Sequence, residues 1–272
     1  MTDMRDPFTY EFLRVLLALE EYLPNTVLIG GCAAFVYSKY MFEMPLGQAP
    51  VYTNDLDLLV ENDIPVSRRS ILSLMEEAGF AGRALESRHT QYFKFESKLG
   101  TGFEVEFLTP APSREHGETI VVQGGIRAQI LDGLDLFLTN NVEVRISDSS
   151  EDIPVDLTVR VPTPGAFVLN KIQSYLDPIG DTDRAKDIYY VFWVLRNLPI
   201  GKQAIVADVK RCGNRQALDI LASRLAPLFA DEYAQGTRDL AVQLTELNMA
   251  ELQKRILAQL EISNIIELMK SN

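Results

Sequence analysis

Cysteine and histidine are almost absent from the chain. The two cysteines, Cys32 and Cys212, lie far apart with no CxxC or Cys/His grouping. Neither a disulfide framework nor a structural zinc site is indicated, and a reducing compartment is expected. The two histidines, His89 and His116, are each isolated, too much so to serve as ligands or bases. Basic charge is scarce as well: 26 Lys and Arg against 38 Asp and Glu leave a net charge of -12. That balance argues against broad non-specific binding to nucleic acid, which needs a basic surface to release counterions, and leaves room only for a local basic patch. No apolar window reaches the length of a membrane span, and the opening "MTDMRDPFTYEF" carries acids early with no leader-like apolar core. A soluble cytoplasmic protein is expected. The one tryptophan, Trp193, falls at helical spacing and reads as core rather than as a stacking platform.

What is present is ample apolar material: 47% of 272 residues, enough for one large domain or two small ones. Asp6 and Pro7 give an N-cap and a first-turn proline, and Phe8, Phe12, Val15, Leu16 and Leu19 follow at helical spacing. Next comes "TVLIGG", a short strand ending in Gly30 and Gly31, and "CAAFVYSKYMF" continues as a buried helix. After a loop, "EMPLGQAPV", the stretch "YTNDLDLLV" runs from a polar turn into an apolar strand. A helix with Ile71, Leu74, Met75 and Ala78 on its apolar face closes at Gly79. The strands "QYFKFES" and "FEVEFLTP" follow, the second with Phe103, Val105 and Phe107 on one face and Glu104 and Glu106 on the other. Between Pro110 and Pro164 there are β-leaning pieces at 126–128, 141–146 and 157–161. From Thr163 and Pro164 onward the pattern is helix after helix, which places a domain boundary near residue 162.

Asp55 and Asp57 lie two apart on a strand, so their carboxylates project together, as a divalent cation requires. The same spacing recurs at Asp181 and Asp183, beside Pro178 and Gly180, where acids serve as turn formers and caps. Context separates the two pairs. Only the first follows a strand, a glycine pair and a helix start, an arrangement that lets phosphate approach the backbone and meet unsatisfied N–H groups.

The ordered set "LIGGCAAFVY", "TNDLDLLV" and "VEFLTP" resembles the nucleotidyltransferase superfamily of DNA polymerase β-like fold. Within it the chain is most similar to bacterial families that include the AbiEii and MenA-type toxins. Lys171 with "DRAKDIYYVFWVL" resembles that group's lysine followed by a basic segment and Asp. The resemblance implies an α+β fold, a mixed sheet flanked by helices over residues 1–162 followed by an all-helical domain over 163–272. It implies transfer of a nucleoside monophosphate from an NTP to an acceptor hydroxyl, on a tRNA 3' end or a protein. Asp55, Asp57 and Glu106 would be the catalytic acids and hold two Mg²⁺ about 3.5–4 Å apart. Gly30 and Gly31 would cradle phosphates and Lys171 would reach them as a point charge, with Arg184, Lys186 and Asp187 in the second rank. An antitoxin partner belongs to the same expectation.

The chain departs from the family pattern at Cys32, where many relatives carry Ser or Thr, and at Glu106, which stands for Asp. The 24 positions from Gly31 to Asp55 make the "EMPLGQAPV" loop an insertion. These departures support an alternative, a degenerate member that binds through the same fold and acts with a partner. A third reading, a glycosyltransferase using Asp-x-Asp, gives Gly30–Gly31 and Glu106 no common role.

Overall fold

The Asp6 carboxylate accepts from the backbone N–H of Phe8 and Thr9 at 3.3 and 3.4 Å, and this cap starts α1 (Pro7–Ala18). The computed structural model describes residues 6–45, 54–86, 91–111, 119–149, 153–177 and 184–271. The Asp181–Asp183 pair, His89, His116 and much of the Glu43–Val51 loop lie outside the described residues. The chain divides into two units, Met1–Pro162 and Thr163–Asn272.

In the first unit, α1 leads through a 3-10 turn to β1 (Thr26–Ile29), and β1 into α2 (Gly30–Val36), which widens into a π-turn over Tyr37–Met41. The expected continuous helix thus changes its winding at Tyr37, whose hydroxyl donates to the Pro162 carbonyl at 2.6 Å. There follow β2 (Asp55–Val60), α3 (Ile71–Glu77), β3 (Phe80–Glu86), β4 (Gln91–Ser97), β5 (Glu104–Pro110), β6 (Thr119–Gln123), β7 (Ile126–Leu131), α4 (Asp135–Thr139), β8 (Asn141–Asp148) and β9 (Val155–Pro162). Strand order runs β1-β2-β5-β4-β3, with β7 against the later part of β5 and β6 against β7. The β1–β2 and β4–β5 pairs are antiparallel, whereas β2–β5 and β5–β7 are parallel, so the sheet is mixed. The β8–β9 ribbon is separate, and β9 runs beside β1.

The alternation in β2 buries Leu56 and Leu58 on the inner face, and β5 buries Val105 and Phe107 there. Past Leu59 and Leu108 both faces are covered. At the beginnings of these two strands the alternate positions carry the half-buried acids Asp55, Asp57, Glu104 and Glu106. Phe8, Phe12, Phe35, Tyr40, Phe80 and Phe103 form an aromatic cluster around α1 and α2; Phe8 meets Phe35 edge-on at 4.9 Å and Phe103 at 5.5 Å. Glu11 is fully buried on α1 and accepts from Ser97 Oγ at 2.5 Å and Thr101 Oγ1 at 2.9 Å, which clips the helix to the β4–β5 turn.

The second unit consists, among the described residues, of helices: α5 (Pro164–Leu176), α6 (Arg184–Asn197), α7 (Gly201–Cys212), α8 (Arg215–Leu225), α9 (Gln235–Gln243) and α10 (Glu251–Lys270). Thr163 caps α5 by accepting from Ala166 N–H at 3.3 Å, and Pro164 fits the first turn. Phe167 on α5 meets Tyr190 on α6 edge-on at 5.9 Å, and Trp193 is buried in the same layer. No described helix is long and apolar enough to cross a membrane.

Candidate active site

The sheet register gathers the charged residues. Asp55 lies opposite Glu104 and Asp57 opposite Glu106 on the parallel β2–β5 pair. Directly paired residues share a face. On the other side of β5, Lys94 pairs with Glu106 and Glu96 with Glu104; on β3, Arg83 pairs with Lys94. One row across the sheet therefore reads Arg83, Lys94, Glu106, Asp57, and the next reads Ala81, Glu96, Glu104, Asp55.

Gly30 closes this face at the end of β1, where Ile29 pairs with Asp57. Its φ is +63°, a left-handed conformation that disfavours any side chain. The space is also taken: a Cβ on Gly30 would fall 2.2 Å from Asp57 Oδ2. The glycine thus lets the Asp57 carboxylate lie against the start of α2. Gly31 follows within the first turn, half-buried.

Cys32 is fully buried, and its thiol donates to the Asp55 backbone carbonyl at 3.3 Å. Position 32 therefore packs beneath β2, where a hydroxyl would face the strand backbone and not a phosphate. Burial, and then the nearby charges of Asp57 and Asp55, push the thiol well above its ordinary pKa.

Lys94 brings a cation to the acid face. Its ammonium lies 2.7 Å from Glu104 Oε2 and also pairs with Glu106 Oε1. Burial works against its charge, but hydrogen bonds to both carboxylates and their charges outweigh this and hold its pKa above the ordinary lysine value. Arg83 pairs with Glu96 at 3.5 Å at the exposed margin. Asp55, Asp57, Glu104 and Glu106 are hard oxygen donors of the type Mg²⁺ prefers, aligned on one face, and in chemistry they fit such an ion. With Glu106 drawn to Lys94, no three His, Cys, Asp or Glu among the described residues converge as a metal cage.

Neither Lys94 nor Glu104 was singled out from the sequence as a site residue. Their placement follows from the hairpin register, in which Ser97 N–H donates to Phe103 O and Lys94 stands against Glu106.

The remaining candidates belong to the helical unit. Lys171 Nζ lies 2.6 Å from Asp187 Oδ1 and sits over the rings of Phe167 and Tyr190 at 5.9 and 5.5 Å. Arg184 pairs with Asp239 at 3.4 Å and lies over Tyr175, whose hydroxyl donates to Asp239 at 3.1 Å. Lys186 is half-buried at the start of α6. Lys171 and Asp187 are thus brought together, whereas Arg184 is engaged by an aspartate the sequence did not single out.

The family model described as nucleotidyltransferase matches residues 11–198. No curated protein matches the chain. Among solved structures, JHP933 from Helicobacter pylori aligns over 96% of this chain and 90% of its own at 14% identity and a TM-score of 0.47. A second H. pylori structure aligns over 98% and 96%, at 14% identity and a TM-score of 0.48. An antigenic nucleotidyltransferase-like protein from Paracoccidioides brasiliensis aligns over 81% and 93%, at 14% identity and a TM-score of 0.39.

Proposed function

The chain belongs to the nucleotidyltransferase family, and from that premise we propose that its acid face carries the transfer of a nucleoside monophosphate from an NTP to an acceptor hydroxyl. The observation that carries the proposal is the register of β2 and β5, which sets Asp57 beside Glu106 with the Asp57 carboxylate against Gly30. In the transfer, a bond forms between the acceptor oxygen and the α-phosphorus while the bond to pyrophosphate breaks.

Asp55, Asp57 and Glu106 are the residues that would hold Mg²⁺. The ion supplies charge stabilisation to the attacking and leaving oxygens of such a displacement. Asp55 and Asp57 project from one strand whose inner face is locked by Leu56 and Leu58, so their positions are fixed before substrate arrives. The backbone at Gly30 and Gly31 gives a phosphate close access, since no side chain can stand at Gly30. Within the helical unit, Lys171 and Asp187, with Arg184 and Lys186, form the proposed phosphate-contacting set. Asp187 holds the Lys171 ammonium in place.

The finer reading follows the resemblance to the AbiEii and MenA-type families: a cytoplasmic toxin of a toxin–antitoxin pair, with a tRNA 3' end or a protein hydroxyl as acceptor. A second reading is favoured by one observation, the engagement of Glu106 by Lys94. A face kept in that state would leave a degenerate member that binds nucleotide without transferring it.

The test is incubation of the purified protein with Mg²⁺ and each of the four α-labelled NTPs, against total tRNA and against the protein itself. Label should appear on one acceptor and vanish in Asp57→Asn and Glu106→Gln, a loss of at least about a hundredfold. NTP binding in calorimetry without transfer selects the degenerate reading. Absence of both binding and transfer overturns the proposal.

A further inference from the structure

Four carboxylates, those of Asp55, Asp57, Glu104 and Glu106, share the face formed by the starts of β2 and β5. Like charges on paired strands repel each other, and strongly so where they are half-buried. The Lys94 ammonium reaches Glu104 and Glu106. Arg83, the next cation along the row, is directed to Glu96 at the exposed edge. Lys94 is also placed unevenly. Glu106 is its direct cross-strand partner and lies beside Asp57, while Glu104 lies two residues back along β5. Of these two anchors of the lysine, one is a proposed metal ligand and the other is not.

We propose that Lys94 is a built-in counter-cation of the acid face: it holds Glu106 in the absence of metal and, when a divalent ion binds at Asp55 and Asp57, yields Glu106 while remaining on Glu104. This rests on the reading of Asp55, Asp57 and Glu106 as metal ligands. Two consequences follow from charge alone. Lys94 and the divalent ion compete for Glu106, so the lysine weakens metal binding. Lys94 also relieves the repulsion among the acids, so the metal-free fold depends on it. Glu104 acts in the opposite sense to Lys94, because without it the ammonium loses an anchor that is not a proposed metal ligand.

The experiment measures Mn²⁺ binding by calorimetry, and thermal unfolding in EDTA and in Mn²⁺, for the full chain and for Lys94→Met, Glu104→Gln and Asp57→Asn. Lys94→Met is expected to bind Mn²⁺ at least about tenfold more tightly. It should also unfold at a lower temperature in EDTA and gain more from Mn²⁺ than the unsubstituted protein. Glu104→Gln should bind Mn²⁺ more weakly. If the unsubstituted protein binds Mn²⁺, Asp57→Asn does not, and Lys94→Met binds no more tightly, the counter-cation role is overturned while the metal site stands. If neither the unsubstituted protein nor Lys94→Met binds Mn²⁺, the metal site falls and the role with it. Should Lys94→Met fail to fold even in Mn²⁺, the sign of the Glu104→Gln effect decides: weaker binding upholds the role, and equal or tighter binding refutes it.

Discussion

Gly30 and Asp57 occupy one another's side-chain space: a methyl group on Gly30 would lie 3.2 Å from the Asp57 carboxyl carbon and closer still to its oxygen, but 3.6 Å from the Asp57 Cβ. The conflict therefore resides in the carboxylate and not in the strand. Gly30→Ala should lower stability by about 2–4 kcal/mol, from the left-handed backbone and the overlap together. In an Asp57→Ala background the overlap is gone, and the same change should cost only about 1–2 kcal/mol. Urea unfolding of the four proteins of this cycle measures the coupling.

Stability should fall at alkaline pH through Cys32. The folded chain keeps the Cys32 proton beyond the ordinary thiol pKa of 9.0, because the site is dry and faces Asp57 and Asp55. The unfolded chain gives it up near the ordinary value. Above about pH 9 the unfolded state thus binds fewer protons, and stability present below that pH is lost as pH rises, at up to about 1.4 kcal/mol per pH unit. Cys32→Ala should remove this slope. Denaturant midpoints followed from about pH 8 to 10 test the difference.

The buried Glu11 should be among the costliest polar residues of the first unit to remove. It accepts from Arg14 Nη1 at 2.7 Å as well as from Ser97 and Thr101, so truncation leaves three donors short of an acceptor. Glu11→Ala should cost about 3–5 kcal/mol, and Glu11→Gln, which keeps the shape, about 1–3 kcal/mol. Chemical unfolding of both variants gives the comparison.

In the helical unit, α5 approaches the backbone of α7 at Gly165. A Cβ there would fall 2.5 Å from the Asp208 carbonyl carbon and the Val209 nitrogen, and the Gly165 N–H donates to Asp208 Oδ2 at 2.7 Å. Backbone cannot swing aside as a side chain can. Gly165→Ala should therefore destabilise by at least about 1–3 kcal/mol, read as a lowered unfolding temperature.

Elements whose signals are local were legible in the sequence. β2 declared itself by alternating Asp and Leu, and α5 by a Thr-Pro start that is also its observed cap. β3 was not legible, since five of the seven residues of "FAGRALE" (two Ala, Arg, Leu and Glu) have helical preference. Its conformation comes from seven paired positions along β4, where Gly82 makes room for the Phe93 ring. The π-turn after α2 was equally hidden, because "CAAFVYSKYMF" has ordinary helical spacing. In the candidate site, Asp55, Asp57 and Glu106 could be picked out as residue types in order. That Glu106 faces Asp57, that Lys94 holds it, and that Cys32 turns inward depend on strand register and packing, which link segments far apart in the chain.

The position of β5 in the sheet also sets an order of events. Its partners come from three separate stretches, β2 well before it, β4 just before it across a tight turn, and β7 after it. The local β4–β5 hairpin closes at small entropic cost, whereas the β2–β5 pairing must close a long loop and is the slower contact. Loop closure therefore favours contact of Lys94 with Glu106 ahead of contact with Asp57. A Glu106 already paired with Lys94 meets less repulsion as it approaches the two aspartates. A chain interrupted before Glu104 would leave one edge of β2 open to unwanted strand pairing and would have no completed face on which to turn over a nucleotide.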